Sequence, residues 1–226
     1  MITPRRDENE MGKGYFITGT DTEIGKTHSA VKLIRHWQQD GQRILAMKPI
    51  ASGCEVLPDG SWLNDDVARL AAATGQAGDA VMNPYRFLPP LSPHIAARQA
   101  GVVIDFDHIR TCYRELAAAC DTVVVEGAGG WYAPLSDTGS MSDLARALEL
   151  PVILVVGMKL GAINHALLTA AAIAADGMEL AGWVANRIVP RQAAYEENLD
   201  TLRRRLRAPL LLELPYEDGT KNGLNV

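Results

Sequence analysis

The hydrophobic pattern of the chain alternates between short apolar runs, which predict strands, and longer stretches with helical periodicity. Strands are predicted at residues 15–19, 43–50, 121–130 (which runs into a glycine loop), 151–157, 179–188 and 209–215. Helices are predicted at residues 25–39, 65–73, 106–119, 164–175 and 192–207. The run at 151–157 is almost wholly apolar, as expected of a parallel strand that is buried on both faces. The alternation favours an α/β fold with an open, mostly parallel sheet and helices on both faces.

The organisation along the chain predicts a single α/β domain over residues 13–226. A chain of 226 residues is long enough for one well-covered core, and no repeat or linker divides it. Residues 1–12 are polar and are predicted to be a flexible N-terminal extension. Residues 76–104 carry several prolines and are predicted to be irregular.

Composition narrows the range of partners and compartments. The net charge of −5 argues against a general nucleic-acid-binding surface. No apolar run approaches the roughly 20 residues that span a bilayer, and the N-terminus has no apolar signal core. Cys54, Cys112 and Cys120 follow no metal-binding spacing and are interpreted as reduced thiols of a cytoplasmic protein.

A glycine-containing loop, GTDTEIGKT (19–27), lies between the first predicted strand and the first predicted helix. In this context backbone N–H groups and the helix dipole form a phosphate-binding site. Lys26 is placed to reach the β- and γ-phosphates, the Thr27 hydroxyl to bind Mg²⁺, and Gly25 to allow close approach of the backbone. Five residues separate Gly19 from Gly25, one more than the general phosphate-binding motif has, so the prediction of ATP or GTP binding depends on the strand–helix context.

Four further charged residues are considered for the same site. Glu126 ends a buried run immediately before a glycine turn, and the carboxyl ends of parallel strands face one crevice. We therefore expect it beside Thr27 at a metal ion; the alternative is a carboxylate that caps the glycine turn. Asp65 and Asp66 open a helix, where capping is sufficient to explain them. Lys48 ends a predicted strand and is available to the same crevice, although a solvated strand end is the alternative.

Several separated segments together resemble the dethiobiotin synthetase family. The matching segments are GTDTEIGKT (19–27), KPIASG (48–53), NPY (83–85), SPHIAA (92–97), VEGAGGWYAPLSD (125–137), PVILVVGMKLGAINHALLT (151–169) and AGWVANR (181–187). They cover nearly the whole chain in order, and the five-residue loop spacing is the one that this family shows.

The resemblance implies a P-loop NTPase-like fold, a homodimer and an ATP-dependent ligase activity in biotin biosynthesis. The family converts 7,8-diaminopelargonic acid, CO₂ and MgATP to dethiobiotin, ADP and phosphate. A substrate nitrogen takes up CO₂ as a carbamate, ATP phosphorylates the carbamate, and the second nitrogen closes the ring.

The resemblance also implies roles for individual positions. The metal ligands would be Thr27, Asp66 and Glu126, with Asp66 aligned in preference to Asp65 when one extra residue is placed in the 54–64 loop. Catalytic roles would fall to Lys26, Lys48, Thr22 and Glu23. Substrate-binding roles would fall to Ser52, Lys48, Lys159, Gly161 and Asn164, the last three from the partner subunit. ATP would contact Glu23, Ile24, Gly25, Lys26, Thr27, His28, Asp66, Glu126, Gly127, Ala128, Gly129, Asn186, Arg187, Pro215, Tyr216 and Glu217.

Three alternatives remain open at this point. An amide-forming synthetase of the cobyrinic acid type usually has an additional glutamine-hydrolysing domain, for which this chain has no room. A partitioning-type regulatory ATPase carries an extra lysine early in the loop, where this chain has Asp21. A nucleotide-binding paralogue without turnover is the third alternative, and the presence of Lys26, Lys48 and Glu126 argues against it.

Overall fold

The computed structural model describes residues 13–217, so the predicted N-terminal extension at 1–12 lies outside the described residues. The strands are β1 (Lys13–Gly19), β2 (Ile44–Met47), β3 (Ile50–Ser52), β4 (Glu55–Val56), β5 (Trp62–Leu63), β6 (Tyr85–Phe87), β7 (Thr122–Glu126), β8 (Val152–Met158), β9 (Leu180–Arg187) and β10 (Leu210–Leu214). The helices are α1 (Lys26–Gln39), α2 (Asp65–Thr74), α3 (Pro93–Gln99), α4 (Phe106–Ala118), α5 (Met141–Leu148), α6 (Ala162–Ala175) and α7 (Tyr195–Arg205).

The main sheet has six parallel strands in the order β10-β9-β8-β1-β7-β2. Strand β1 is central and pairs with β7 on one side and β8 on the other. Since all six strands run in one direction, their carboxyl ends form a single edge, and the phosphate loop leaves β1 at that edge. Two short pairs, β3 with β6 and β4 with β5, lie outside this sheet.

Helices cover both faces of the main sheet. Ile17 packs in one cluster with side chains of α1 and α2, and its neighbour Phe16 packs in another with side chains of α4 and α5. Successive side chains of a strand point to opposite faces, so these two clusters lie on opposite sides of the sheet. Trp183 of β9 packs against α6 and α7. The predicted α/β class, parallel sheet and two-sided helical cover are confirmed.

The element predictions differ from the structure in several regions, one of which is α5 (Met141–Leu148), where no helix was predicted. The predicted strand 43–50 ends at Met47, because Pro49 has no N–H to donate and the chain leaves the sheet there. The predicted irregular region 76–104 contains β6 and α3. The interpretation of residues 13–226 as one domain stays a prediction.

All three cysteines are buried. Among the helices between residues 13 and 217, none has both the length and the apolar character required to cross a membrane.

Candidate nucleotide and metal site

The phosphate loop adopts a conformation that requires glycine at one position. Gly25 lies directly before α1 with φ 79°, in the left-handed region. A Cβ there would lie 2.3 Å from Nδ2 of Asn186. Asn186 is itself buried, and its Nδ2 donates to the carbonyl oxygen of Ile24 at 2.8 Å. The end of β9 therefore holds the loop just before α1 begins.

Lys26 is buried at the start of α1, and its Nζ donates to the carbonyl oxygen of Asp21 at 2.8 Å. Burial, with the neighbouring Lys48 ammonium, lowers the pKa of Lys26 to about 8. The Asp21 carboxylate accepts from the backbone N–H of Thr22 at 2.8 Å and lies 3.5 Å from Nζ of Lys159. Thr22 and Glu23 are exposed, and Glu23 has φ 57°, which is uncommon for a residue with a side chain.

Three oxygen atoms converge at the mouth of the loop. Oγ1 of Thr27 lies 2.6 Å from Oδ1 of Asp66 and 2.7 Å from Oε1 of Glu126. A hydroxyl has one proton and donates to one of these carboxylates at a time. A cation close by favours the other short oxygen–oxygen contact, because it offsets the repulsion between the two oxygen atoms.

Lys48 supplies one positive charge to this cluster. Its Nζ lies 2.6 Å from Oε1 of Glu126 and 2.9 Å from Oδ2 of Asp66. Burial alone would lower the pKa of Lys48, but the two carboxylates outweigh it and raise the pKa. For Asp66 the attraction of the Lys48 ammonium and the Thr27 hydrogen bond outweigh burial and lower the pKa.

One carboxylate oxygen of Glu126 is available to bind a cation. It is 1 % exposed, burial raises its pKa, and its Oε2 has no hydrogen-bond partner among the described residues. A buried carboxylate oxygen without a partner is costly, so the site fits an additional cation. Within residues 13–217 no three His, Cys, Asp or Glu side chains form a self-contained metal site. Two carboxylates and one hydroxyl are the partial oxygen set that Mg²⁺ uses when phosphates and water complete its coordination.

The structure distinguishes the two neighbouring aspartates. Asp66 reaches Thr27 and Lys48, whereas Asp65 is exposed. The helix is capped by Asn64, whose side chain accepts from Val67 N. Helix capping is therefore not the reason why the Asp66 side chain points toward Thr27 and Lys48.

The glycine turn after β7 packs against the end of β1. Gly127 N donates to the carbonyl oxygen of Ile17 at 3.0 Å, and Gly129 has φ 68°. A Cβ at Gly129 would lie 3.8 Å from Oγ1 of Thr22. The turn, which includes Ala128, thus lies beside the phosphate loop.

The remaining residues expected to contact ATP lie in two groups. Glu217 contacts Lys32 at 2.7 Å and His28 at 3.9 Å, and burial lowers the pKa of His28. This contact brings the C-terminal segment, with the exposed Pro215 and Tyr216, against α1.

Arg187 is directed away from this group. Its guanidinium stacks on the Tyr195 ring at 3.5 Å and pairs with Glu196 and Glu213 at 3.3 and 3.2 Å. A cavity of about 520 Å³ lies beside Arg187 and Tyr195. The structure does not bring the Arg187 side chain together with Asn186.

The expected substrate residues lie on two elements. Ser52 ends β3, and its carbonyl oxygen accepts from Nδ2 of Asn64 at 3.1 Å. Gly161, with φ 92°, precedes α6, which begins two residues earlier than predicted. Asn164 is therefore in the first turn of α6, and both Gly161 and Asn164 are exposed. The Asp21–Lys159 pair connects this segment to the phosphate loop.

The sequence does not mark Asp21 and Asn83, which contact the site residues Lys26 and Lys48. Their contacts are backbone hydrogen bonds or cross-element pairs, and no local motif marks such contacts. The NPY segment around Asn83 was noted only as part of a resemblance.

Several known proteins that are similar to this chain carry the same name. The family model described as "AAA domain" matches residues 13–223. ATP-dependent dethiobiotin synthetase BioD of Aromatoleum aromaticum is 51% identical over 92% of this chain and 92% of its own length. The protein of the same name from Nitrosospira multiformis is 50% identical over 92% and 91%, and that of Xanthomonas euvesicatoria 48% over 91% and 92%.

Solved structures are similar at the level of the fold. Chloroplast FtsY from Physcomitrella patens has a TM-score of 0.53 at 16% identity, over 93% of this chain and 61% of that one. A ParA family ATPase from Chlorobium tepidum has a TM-score of 0.52 at 12% identity, over 91% and 85%. These likenesses confirm the predicted P-loop NTPase-like fold.

Proposed function

The chain belongs to the family of ATP-dependent dethiobiotin synthetases, which are ATP-dependent ligases of biotin biosynthesis, and we propose that it closes the ring of dethiobiotin from 7,8-diaminopelargonic acid, CO₂ and MgATP. The observation that carries this proposal is the cluster at the mouth of the phosphate loop in which the buried residues Thr27, Glu126 and Lys48 meet the half-exposed Asp66. It combines the ligands for a nucleotide-bound metal with a cation for an anionic substrate group.

In this proposal the phosphates of ATP lie over the N-terminus of α1. Loop N–H groups and the helix dipole favour negative charge there. Lys26 moves its Nζ from the carbonyl oxygen of Asp21 to the phosphate oxygens, a short displacement for a flexible stem.

The adenine lies near Asn186. One N–H of its side-chain amide is bound to Ile24 O, which leaves the second N–H and Oδ1 for the base. An amide presents a donor and an acceptor side by side, which matches the N7 acceptor and N6 donor of adenine. The C-terminal segment, whose Glu217 contacts Lys32 and His28, would flank the same space.

Thr27, Asp66 and Glu126 would hold Mg²⁺, which neutralises phosphate charge during the transfer. Oε2 of Glu126 is the oxygen atom best suited to bind Mg²⁺, because it has no hydrogen-bond partner within the described part of the chain.

The reaction needs positioning and charge neutralisation more than covalent chemistry by the protein. One substrate nitrogen bonds to CO₂ and releases a proton, giving a carbamate. A carbamate oxygen then attacks the γ-phosphorus, and ADP leaves. The second nitrogen attacks the carbonyl carbon, the carbon–oxygen bond to phosphate breaks, and phosphate and a proton are released. Lys48 neutralises the carbamate and the transferring group, while Thr22, Glu23 and Ser52 line the reacting centre.

The substrate carboxylate would bind at the first turn of α6, around Lys159, Gly161 and Asn164, in a second copy of the chain. A helix N-terminus favours a carboxylate, and this one is exposed. The exposed side chains of Leu160 and Leu168 lie on the same segment and are suited to cover by the partner. We therefore propose a homodimer whose site spans the interface, acting in the cytoplasm, where its thiols stay reduced.

The direct test is phosphate release from MgATP with 7,8-diaminopelargonate and bicarbonate, omitting each component in turn. Release that requires all three, with dethiobiotin detected by mass, supports the proposal. ATP binding without diamine-dependent release would contradict it and favour a related amide-forming synthetase or an inactive paralogue. Nucleotide-dependent dimerisation without turnover would favour a partitioning-type ATPase.

A further inference from the structure

Residues 82–85 hold the backbone at Lys48 from outside the main sheet. Lys48 N donates to the carbonyl oxygen of Met82 at 2.9 Å, and Tyr85 N donates to that of Pro49 at 3.1 Å. Between these two bonds, Nδ2 of Asn83 donates to the carbonyl oxygen of Lys48 at 2.6 Å. Lys48 thus has its N–H and its C=O bound by consecutive residues of one segment.

The orientation of the Asn83 side chain follows from its partners. Nδ2 contacts the carbonyl oxygens of Lys48 and Tyr85, at 2.6 and 3.2 Å. Both partners only accept, so the nitrogen and not Oδ1 must face them. Asn83 is 1 % exposed. None of its side-chain bonds reaches the phosphate loop or the two carboxylates, so any effect on the site passes through Lys48.

Lys48 depends on this support because the sheet does not hold it. The pairing of β2 with β7 ends at Met47, and the following Pro49 has no N–H. The chain resumes in β3, which pairs with β6 directly after Asn83 and Pro84. Lys48 therefore lies in a gap between two strands, where its backbone could rotate if nothing else bound it.

The position of this backbone decides where the ammonium lies. Nζ of Lys48 meets Oε1 of Glu126 and Oδ2 of Asp66 with the side chain 5% exposed. A displacement of the main chain moves the Cα of Lys48, and with it the buried side chain whose ammonium pairs with both carboxylates. A shift of about 1 Å at a reacting group costs up to roughly 10² in rate.

We propose that Asn83 is a positioning residue for Lys48, fixing the main chain at the gap between β2 and β3 so that the ammonium meets the transferring phosphoryl group. This inference rests on the proposed function, since it requires Lys48 to act in the reaction. Asn83 itself contacts no reacting atom.

The test is a double-mutant cycle with Asn83→Ala and Lys48→Ala, measured as steady-state phosphate release with saturating diamine and bicarbonate. Asn83→Ala alone is expected to lower kcat by roughly 10-fold, with the KM for ATP nearly unchanged, because positioning for the transition state is lost. In the Lys48→Ala background the same substitution should change kcat by less than about 2-fold, since residues that act as a unit are non-additive. Asn83→Ser, which keeps one donor, should lie between the wild type and Asn83→Ala.

Gln76→Ala is the matched control. The Gln76 amide also binds the outer edge of β2, donating to Ala46 O at 3.2 Å and accepting from Ala46 N at 2.7 Å, two residues before Lys48. Its loss should lower the thermal midpoint to a similar extent and leave kcat unchanged. If Asn83→Ala does not fold, the cycle is run with Asn83→Ser.

The outcomes separate this inference from the proposed function. Equal fractional losses of kcat in both backgrounds, or an equal loss in Gln76→Ala, would overturn the role of Asn83 and leave Lys48 in place. Wild-type turnover in Lys48→Ala would overturn the role of Lys48, and the inference with it. A loss that appears only when Lys48 is present supports the proposal.

Discussion

Nζ of Lys48 lies 2.6 Å from Oε1 of Glu126, and both residues are nearly inaccessible to solvent. A buried ion pair is a poor source of stability, because desolvation offsets most of the attraction. The pair lies next to the Thr27 hydroxyl at the start of α1. Its position at the phosphate loop supports the proposed role in binding and chemistry, which has measurable consequences.

Lys48→Ala removes the positive charge at the proposed reacting centre. We expect kcat to fall by at least about 10²-fold, because one preorganised charge at a developing anion contributes that much. Phosphate release measures the effect, and far-UV circular dichroism shows whether the fold is retained. Turnover equal to that of the wild type would remove Lys48 from the mechanism.

Glu126→Gln keeps the shape of the side chain and removes one anionic ligand. The magnesium concentration for half-maximal activity should rise, because Mg²⁺ prefers carboxylate oxygen to an amide. A magnesium titration at fixed ATP measures the change. An unchanged titration would mean that Glu126 only caps its turn.

Asp66→Asn and Asp65→Asn form a matched pair on adjacent residues. Asp66 contacts Thr27 and Lys48, while Asp65 is exposed. We expect Asp66→Asn to raise the magnesium requirement and lower kcat, and Asp65→Asn to leave both within about 2-fold, as for most exposed substitutions. The opposite ranking would reassign the ligand to Asp65 and contradict the geometry.

The broad architecture was predictable from the sequence because buried parallel strands are read directly from apolar runs. The run at 151–157 corresponds to β8, in which every residue is buried. The expectation that Glu126 and Thr27 would meet followed from the common direction of the strands, and their side chains lie 2.7 Å apart. Their function as metal ligands stays a prediction.

Other features depend on tertiary contacts that no local pattern contains. The rotation of α2 about its axis decides which of Asp65 and Asp66 faces the site. The sequence alone does not give this rotation, and Asp66 was chosen only by aligning the preceding loop with the family. The gap at Lys48 depends on bonds to Met82 and Asn83, more than thirty residues away. Helix α5 is a different case, because the Ser140–Asp143 capping box marks its start in the sequence and was not recognised.

The N-terminus of α5 predicts an acid dependence of stability. Asp143 accepts from Ser140 N and from the Ser140 hydroxyl in a capping box, and the hydroxyl bond with the other contacts lowers its pKa. A lowered pKa in the folded state means that the stabilisation is present above the unfolded pKa of about 3.9 and is lost as the pH falls through the folded value.

Asp143→Asn lacks this titration, so its free energy of unfolding should depend less on pH below about 4 than that of the wild type. Urea unfolding between pH 3 and 6 measures the difference. Parallel curves for the two proteins would show that the cap does not contribute in this range.

Gly25→Ala and Gly41→Ala separate backbone strain from a specific clash at the phosphate loop. Gly25 has φ 79° and Gly41 has φ 80°, so alanine costs both positions roughly 1–2 kcal/mol of backbone strain. A Cβ at Gly41 meets nothing within 4 Å, whereas one at Gly25 lies 2.3 Å from Nδ2 of Asn186. Gly25→Ala must therefore displace the amide that binds Ile24 O and that is proposed to pair with adenine.

We expect both variants to lose thermal stability, and only Gly25→Ala to lose ATP affinity, by about 10-fold or more, as the loss of one bidentate base contact implies. Calorimetric titration with MgATP measures the affinity. Equal ATP affinity in the two variants would contradict the proposed role of the Asn186 amide in nucleotide binding, because only Gly25→Ala displaces that amide.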